Sequence, residues 1–197
     1  MIKIKRQLNF NTDFEVRKAK DSDERYLEGY FIRYNEETEL YDNIYEEVTR
    51  EAIENSIKDR DIKCLFNHDT AIVLGRTGNN TLELKSDEKG LYGKVLINQN
   101  DTQARDILAR IDRGDINACS FGFSINDEEV VNRDDGSTKF ILKDIDLYEV
   151  SPVTFPAYPT TSISARQKQI DELREEDLSN WKKRMKEALN AKSINVK

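Results

Sequence analysis

Cysteine, histidine and proline are scarce in this chain. It holds two cysteines, one histidine and three prolines among 197 residues. Cys64 and Cys119 lie far apart and form no CxxC pair, which argues against a disulfide framework. A zinc site is also disfavoured. Both cysteines and the lone His68 would have to join it, and a fourth ligand would still be missing. No apolar run approaches the ~18–20 residues that a membrane-spanning helix needs. Basic clusters are missing too. Lys and Arg number 31 against 38 Asp and Glu, for a net charge of −7. Binding to nucleic acid through phosphates is therefore not expected. The opening Met1-Ile2-Lys3-Ile4-Lys5-Arg6 alternates and has no apolar core of the signal-peptide kind. The expectation is a pair of reduced thiols in a cytosolic protein.

What is present is a polar chain, 37% apolar and 35% charged. That supports one core, with part of the chain outside it. The first two-thirds reads mostly as strands. Ile2-Lys3-Ile4 and Phe14-Glu15-Val16 alternate, and Tyr26 to Ile32 is rich in aromatic and branched residues. Ile62–Phe66 and Ala71–Arg76 flank His68. Thr81–Leu84 turns at Asp87-Glu88-Lys89-Gly90 into Leu91–Ile97, with Gly90 free to take positive φ. Asp134-Asp135-Gly136 predicts a second turn before Phe140–Val150. Thr49 can cap a helix over Arg50–Lys58. Asp101 or Thr102 can cap another that runs to Arg113 and stops at Gly114. Many strands and few helices predict an α+β barrel or sandwich.

Beyond Ser164 the character changes. Residues 167–192 lack Gly and Pro. Ile170, Leu173, Leu178, Trp181, Met185 and Leu189 recur near helical spacing. The expected organisation is a domain over 1–165 and an amphipathic helical extension over 166–197. That extension either packs on the domain or docks to a partner.

A single histidine removes any choice of imidazole, the only side chain that normally titrates near neutrality. The segment Ile116–Ile125 supplies a second focus. At period two, Cys119, Phe121, Phe123 and Ile125 share a large apolar face. Ser120, Gly122 and Ser124 share the other. A solvent face usually carries Lys, Glu or Thr. One stripped to Ser-Gly-Ser leaves room for a backbone or a ligand. Cys119 points with the phenylalanines and reads as a core thiol. A serine hydroxyl needs an adjacent base to act as a nucleophile, and His68 is the available one. Asn67 and Asp69 are neighbours that could orient it. The third member would be a carboxylate that fixes its tautomer. Glu149 is the candidate, at the end of the mainly apolar series Ile141, Lys143, Ile145, Leu147. Asp146 and Asp144 are substitutes.

The ordered set resembles a known family. It comprises Asn67-His68-Asp69, Leu74-Gly75-Arg76, Gly90-Leu91-Tyr92, Asp112-Arg113-Gly114-Asp115, Cys119-Ser120-Phe121-Gly122-Phe123 and Leu147 through Pro159. In this order and spacing it is similar to the caudovirus (HK97-type) prohead proteases, over roughly residues 10–165. The resemblance implies a capsid-maturation serine endopeptidase. The implied fold is a closed or partly open β-barrel surrounded by helices, like the herpesvirus proteases. By position, His68 and Ser120 match the family histidine and serine, and Glu149 matches the acid. Pro152 stands where relatives most often carry an aliphatic residue. Gly75 and Arg76 are candidates for the oxyanion site by proximity to His68. No cofactor or metal is implied. The implied substrate is the major capsid protein or its scaffold segment, cleaved in the host cytoplasm inside the immature procapsid. A homodimer or higher oligomer is expected, without nucleic acid or membrane partners. The alternative is a catalytically silent scaffold or assembly protein with the same fold.

Overall fold

The computed structural model describes residues 6–12, 14–155, 169, 171–172, 175 and 178–186. The chain divides into two compact units, Met1–Pro159 and Thr160–Lys197.

The first unit opens with β1 (Arg6–Asn11), β2 (Glu15–Lys18) and β3 (Arg25–Arg33), then β4 (Thr38–Tyr41) and β5 (Ile44–Val48). Helix α1 (Arg50–Ile57) leads into β6 (Lys63–Phe66) and β7 (Asp69–Arg76). A 3-10 turn (Thr77–Asn79), β8 (Leu82–Ser86), β9 (Gly90–Ile97) and α2 (Thr102–Asp112) follow. Two long strands, β10 (Ala118–Asn132) and β11 (Thr138–Val153), close the unit.

These strands make two sheets. One runs β1-β10-β11-β5-β4, with β6 also on β11 and β7 on β6; the other runs β2-β3-β9-β8. Strand pairing stays within each sheet, so among the described residues no closed barrel is found. The sheets meet through side chains. The Cys119 thiol of β10 donates to the Phe31 carbonyl of β3 at 3.5 Å. Phe31, Phe121, Phe123 and Phe140 are all fully buried there, each worth roughly 1.5–3 kcal/mol. Period two explains β9, where every second residue from Leu91 to Ile97 is buried.

One edge of β11 is shared by two strands. β5 runs parallel to Thr138–Leu142, and β6 runs parallel to Glu149–Val150. Helix α1 spans the gap between them and satisfies backbone groups that neither strand reaches. The Thr49 hydroxyl donates to the Leu142 carbonyl (3.0 Å) and accepts from the Ala52 amide (3.3 Å). Ser56 Oγ accepts from the Leu147 amide at 2.7 Å. Sequence capping thus does two jobs: it starts the helix and holds the helix on the sheet.

Helix α2 begins at Asp101, whose carboxylate accepts from the Gln103 and Ala104 amides. It ends at Gly114, with φ of +86°. Gly136 takes φ of +84° in the turn between β10 and β11. Gly90 does not take positive φ, contrary to expectation. It is needed because a Cβ there would overlap the Ile32 carbonyl oxygen. Strands β1, β4 and β5 were not expected, and Ile2-Lys3-Ile4 lies outside the described residues.

In the second unit, residues 169, 171–172, 175 and 178–186 are helical. Leu178, Trp181 and Met185 are each about half exposed on it. Ile170, Leu173 and Leu189 lie outside the described residues.

Candidate active site

His68 sits in a two-residue turn of the first sheet. Phe66 pairs with Asp69 across the β6–β7 hairpin, so Asn67 and His68 form a two-residue loop. Both take left-handed backbone, with φ of 51° and 60°. This is the pattern of a type I′ turn, which favours Asn then Gly. Asn fits it well. Histidine in the glycine position is strained by about 1–2 kcal/mol. Asn67 offsets that strain by tying the turn to the end of β11. Its amide donates to the Pro152 carbonyl at 3.1 Å. Its side chain accepts from the Thr154 amide (2.9 Å) and donates to Thr154 Oγ1 (3.2 Å). Asp69 instead turns to the Ala71 amide at 2.8 Å.

Glu149 reaches His68 from β11. His68 Nδ1 and Glu149 Oε1 are 2.6 Å apart, with side-chain exposures of 20% and 13%. A carboxylate only accepts, so Nδ1 carries the proton. In the neutral ring Nε2 is then the free acceptor. The other carboxylate oxygen, Oε2, accepts from Ser151 Oγ at 2.5 Å. Glu149 is held at both ends.

The face on which Glu149 lies is set by a bulge. Gly122 pairs with Glu149 while Phe123 pairs with Leu147, leaving Tyr148 as the extra residue. Strict alternation places Glu149 on the Leu147 face. The bulge turns it to the opposite face, with Ser120 and Gly122. A Cβ on Gly122 would overlap Glu149 Oε1. The space left by the Ser-Gly-Ser pattern is therefore filled by the Glu149 carboxylate. Tyr148 closes the far side, its hydroxyl 2.8 Å from Ser124 Oγ.

Ser120 lies directly opposite Ser151 in the β10–β11 ladder. Such pairs share a face with Cβ atoms roughly 4.5–5.5 Å apart. Ser120 is fully buried. Among the described residues its Oγ has no hydrogen-bond partner. His68, Glu149 and Ser120 thus come from three strands or turns to one end of the first sheet. The His68–Glu149 bond is made, and a Ser120–His68 bond is not.

Of the substitutes for Glu149, Asp146 accepts from Arg60 (2.5 Å) and Asn126 (2.8 Å), and Asp144 lies opposite Asp127 in the β10–β11 ladder. Arg76 does not turn to His68. It binds Asp61, whose carboxyl is held well below its usual range by Lys63 and then Arg76. Gly75 packs its backbone against the Thr81 carbonyl. A cavity of about 620 Å³ along β7 is lined by Val73, Arg76, Asn79, Leu96 and Gln99, and none of His68, Ser120 and Glu149 lines it. Both thiols are buried. Burial pushes Cys64 and Cys119 well above the ordinary thiol range, with Glu149 adding to the rise at each. Neither is ionised at neutral pH, and neither is poised as a nucleophile.

Asn67 was expected as a neighbour that could orient His68; it acts instead by tying the turn to β11, and an Asn before a hairpin return tolerates left-handed backbone. Ser151 escaped sequence reasoning, since nothing in the sequence reveals the bulge that brings it to Glu149.

The family model for caudovirus prohead serine proteases matches residues 12–176. This chain belongs to that family. The match runs past residue 165, where the resemblance was expected to end. The prohead protease of Enterobacteria phage HK97 is 29% identical over 184 residues, covering 92% of this chain and 77% of the relative. The prohead protease of Escherichia phage T5 is 29% identical over 146 residues, covering 74% of this chain and 62% of the relative. A solved structure of the bacteriophage T4 capsid assembly protease matches with a TM-score of 0.52 at 14% identity. It covers 77% of this chain and 99% of that one, and it supports the α+β fold. The family and the names of these relatives support a protease. No helix among the described residues is long and apolar enough to cross a membrane.

Proposed function

We propose that this chain is a serine endopeptidase that cleaves the major capsid protein, or its scaffold segment, inside the immature procapsid in the host cytoplasm. Ser120 is the nucleophile, His68 the general base and Glu149 the group that orients His68. The observation that carries this reading is the 2.6 Å His68–Glu149 bond beside the buried Ser120 face. It selects the tautomer whose Nε2 can take a proton.

The chemistry is acyl transfer. His68 Nε2 accepts the Ser120 Oγ proton as Oγ bonds to the substrate carbonyl carbon. The peptide C–N bond then breaks, and His68 gives the proton to the leaving amine. Water, deprotonated by His68, attacks the acyl-enzyme and returns Ser120 its hydroxyl. The imidazolium formed at each step lies against the Glu149 carboxylate, which stabilises it. Ser120 is buried and unpartnered in the isolated chain, so turnover requires the site to open and draw Ser120 onto His68.

The family and the named activities of the relatives support this substrate class. The two packed sheets are read as the opened form of the herpesvirus-protease-like barrel. The segment 166–197 is read as an extension outside the 1–165 domain, serving as a handle for packaging into the procapsid. A homodimer or higher oligomer would supply control of activity. Neither nucleic acid nor membrane is needed by this mechanism.

A silent assembly protein is the second reading, and the burial of Ser120 favours it. Co-expression with the capsid protein of the same phage separates the two. Intact mass spectrometry is expected to show a discrete segment lost with wild type and kept with Ser120→Ala. Removing a triad nucleophile costs ~10⁶ in turnover in a well-studied hydrolase. Identical masses with both variants would sink the protease reading.

A further inference from the structure

We propose that Ser151 is a positioning residue that fixes the Glu149 carboxylate against His68 and so orients the imidazole. The proposal rests on the Ser120–His68–Glu149 reading above and adds a fourth side chain to it. The geometry is an inventory of donors and acceptors on one face of two strands. Glu149 has two carboxylate oxygens. Oε1 is taken by His68 Nδ1 at 2.6 Å, and Oε2 is taken by Ser151 Oγ at 2.5 Å. A serine hydroxyl has one proton to give, and Ser151 gives it to Glu149. Ser151 is fully buried, so water does not replace that donor.

Ser120 is the cross-strand partner of Ser151. Its own hydroxyl is fully buried and has no partner among the described residues. Ser151 holds Oε2 from the same face and so fixes the carboxylate plane, and with it the direction in which Oε1 meets the imidazole.

This role differs from plain packing, because it predicts an effect on the His68 ring. His68 is the only histidine in the sequence, so ring-¹⁵N labelling of the full-length chain gives one imidazole to follow. The Nδ1 proton, short-bonded to Glu149, is expected as a single low-field resonance in the wild type.

The test compares wild type, Ser151→Ala, Ser151→Cys and Ser120→Ala. Two quantities are read: the Nδ1 proton resonance of the isolated chain, and the rate of capsid-protein cleavage on co-expression. Ser151→Ala is expected to shift the resonance and slow cleavage by on the order of 10²-fold, the scale of a roughly 1 Å misplacement. Ser151→Cys keeps the volume with only a weak S–H donor. It is expected to show the same loss in a chain whose melting temperature matches wild type, which covers the case of an unstable alanine variant. Wild-type cleavage in Ser151→Cys, or an unmoved resonance in either variant, overturns the proposal. Cleavage that persists in Ser120→Ala points to a different fault. It overturns the triad reading itself.

Discussion

The two turns that bracket the β10–β11 region make an instructive pair. The turn between β10 and β11 needs positive φ, and Gly136 supplies it at +84°. Arg133 and Ser137 close it with a backbone bond of 2.9 Å. The turn between β6 and β7 needs positive φ at two residues and receives Asn67 and His68. The first uses the residue that costs least there. The second accepts strain to hold an imidazole against Glu149, and it recruits Thr154 and the Pro152 carbonyl as stays. The site end of the sheet is built for position, and the far end for stability.

Substitutions can break that contrast. The largest effect is expected at the site end. Gly122→Ala puts a methyl where Glu149 Oε1 lies and displaces the carboxylate from His68. Capsid-protein cleavage should fall by at least ~10², while a folded chain remains by circular dichroism. Wild-type cleavage in this variant would show that the Glu149 position does not matter.

A smaller effect concerns the strained turn. His68→Ala and His68→Gly both remove the imidazole and its bond to Glu149, and both should be inactive. They should differ in stability. Alanine keeps the left-handed penalty and glycine removes it, so His68→Gly should be the more stable by about 1 kcal/mol in urea unfolding. Equal stabilities would mean that the turn relaxes without cost. At the far end the sign reverses. Gly136→Ala should lose about 1–2 kcal/mol and leave cleavage at the wild-type rate.

The smallest expected effect is on thiol chemistry. Cys64 and Cys119 are buried, with thiols held protonated. Iodoacetamide at pH 8 should leave the native chain unalkylated and its cleavage rate unchanged. Rapid alkylation with loss of activity would move the nucleophile from serine to cysteine.

The legibility of this molecule in its sequence follows the same divide. Turns marked by Gly and caps marked by Thr49 and Asp101 could be read, because local chemistry alone decides them. The segregation of Cys119 from Ser120 could be read from period two. Strands β4 and β5 could not. Their Glu and Tyr content resembles a loop, and they form because β11 offers an edge. A barrel, closed or partly open, or a sandwich was expected; two sheets that pair only internally are seen, and among the described residues no closed barrel is found. Closure depends on long-range pairing that no local pattern encodes.

Glu149 shows the limit most clearly. It was singled out as a carboxylate on the Leu147 face that needed a partner. It does meet His68, but from the opposite face, because Tyr148 is bulged out of the ladder. The residue was legible from its chemistry, and its geometry was not. The gap at Gly122 was legible as space, yet its occupant is a side chain of the same protein. Ser151 stayed hidden for the same reason. A one-residue slip in register flips every side chain beyond it, and only the fold reveals the slip.

The central claim is that Ser120 is activated by His68. Covalent mapping tests it most directly. The full-length chain, co-expressed with its capsid protein, would be treated with a fluorophosphonate, digested and analysed by mass spectrometry. The account predicts an adduct on the Ser120 peptide in wild type and none in His68→Ala. An adduct on Ser151, or equal labelling of Ser120 without His68, would contradict it.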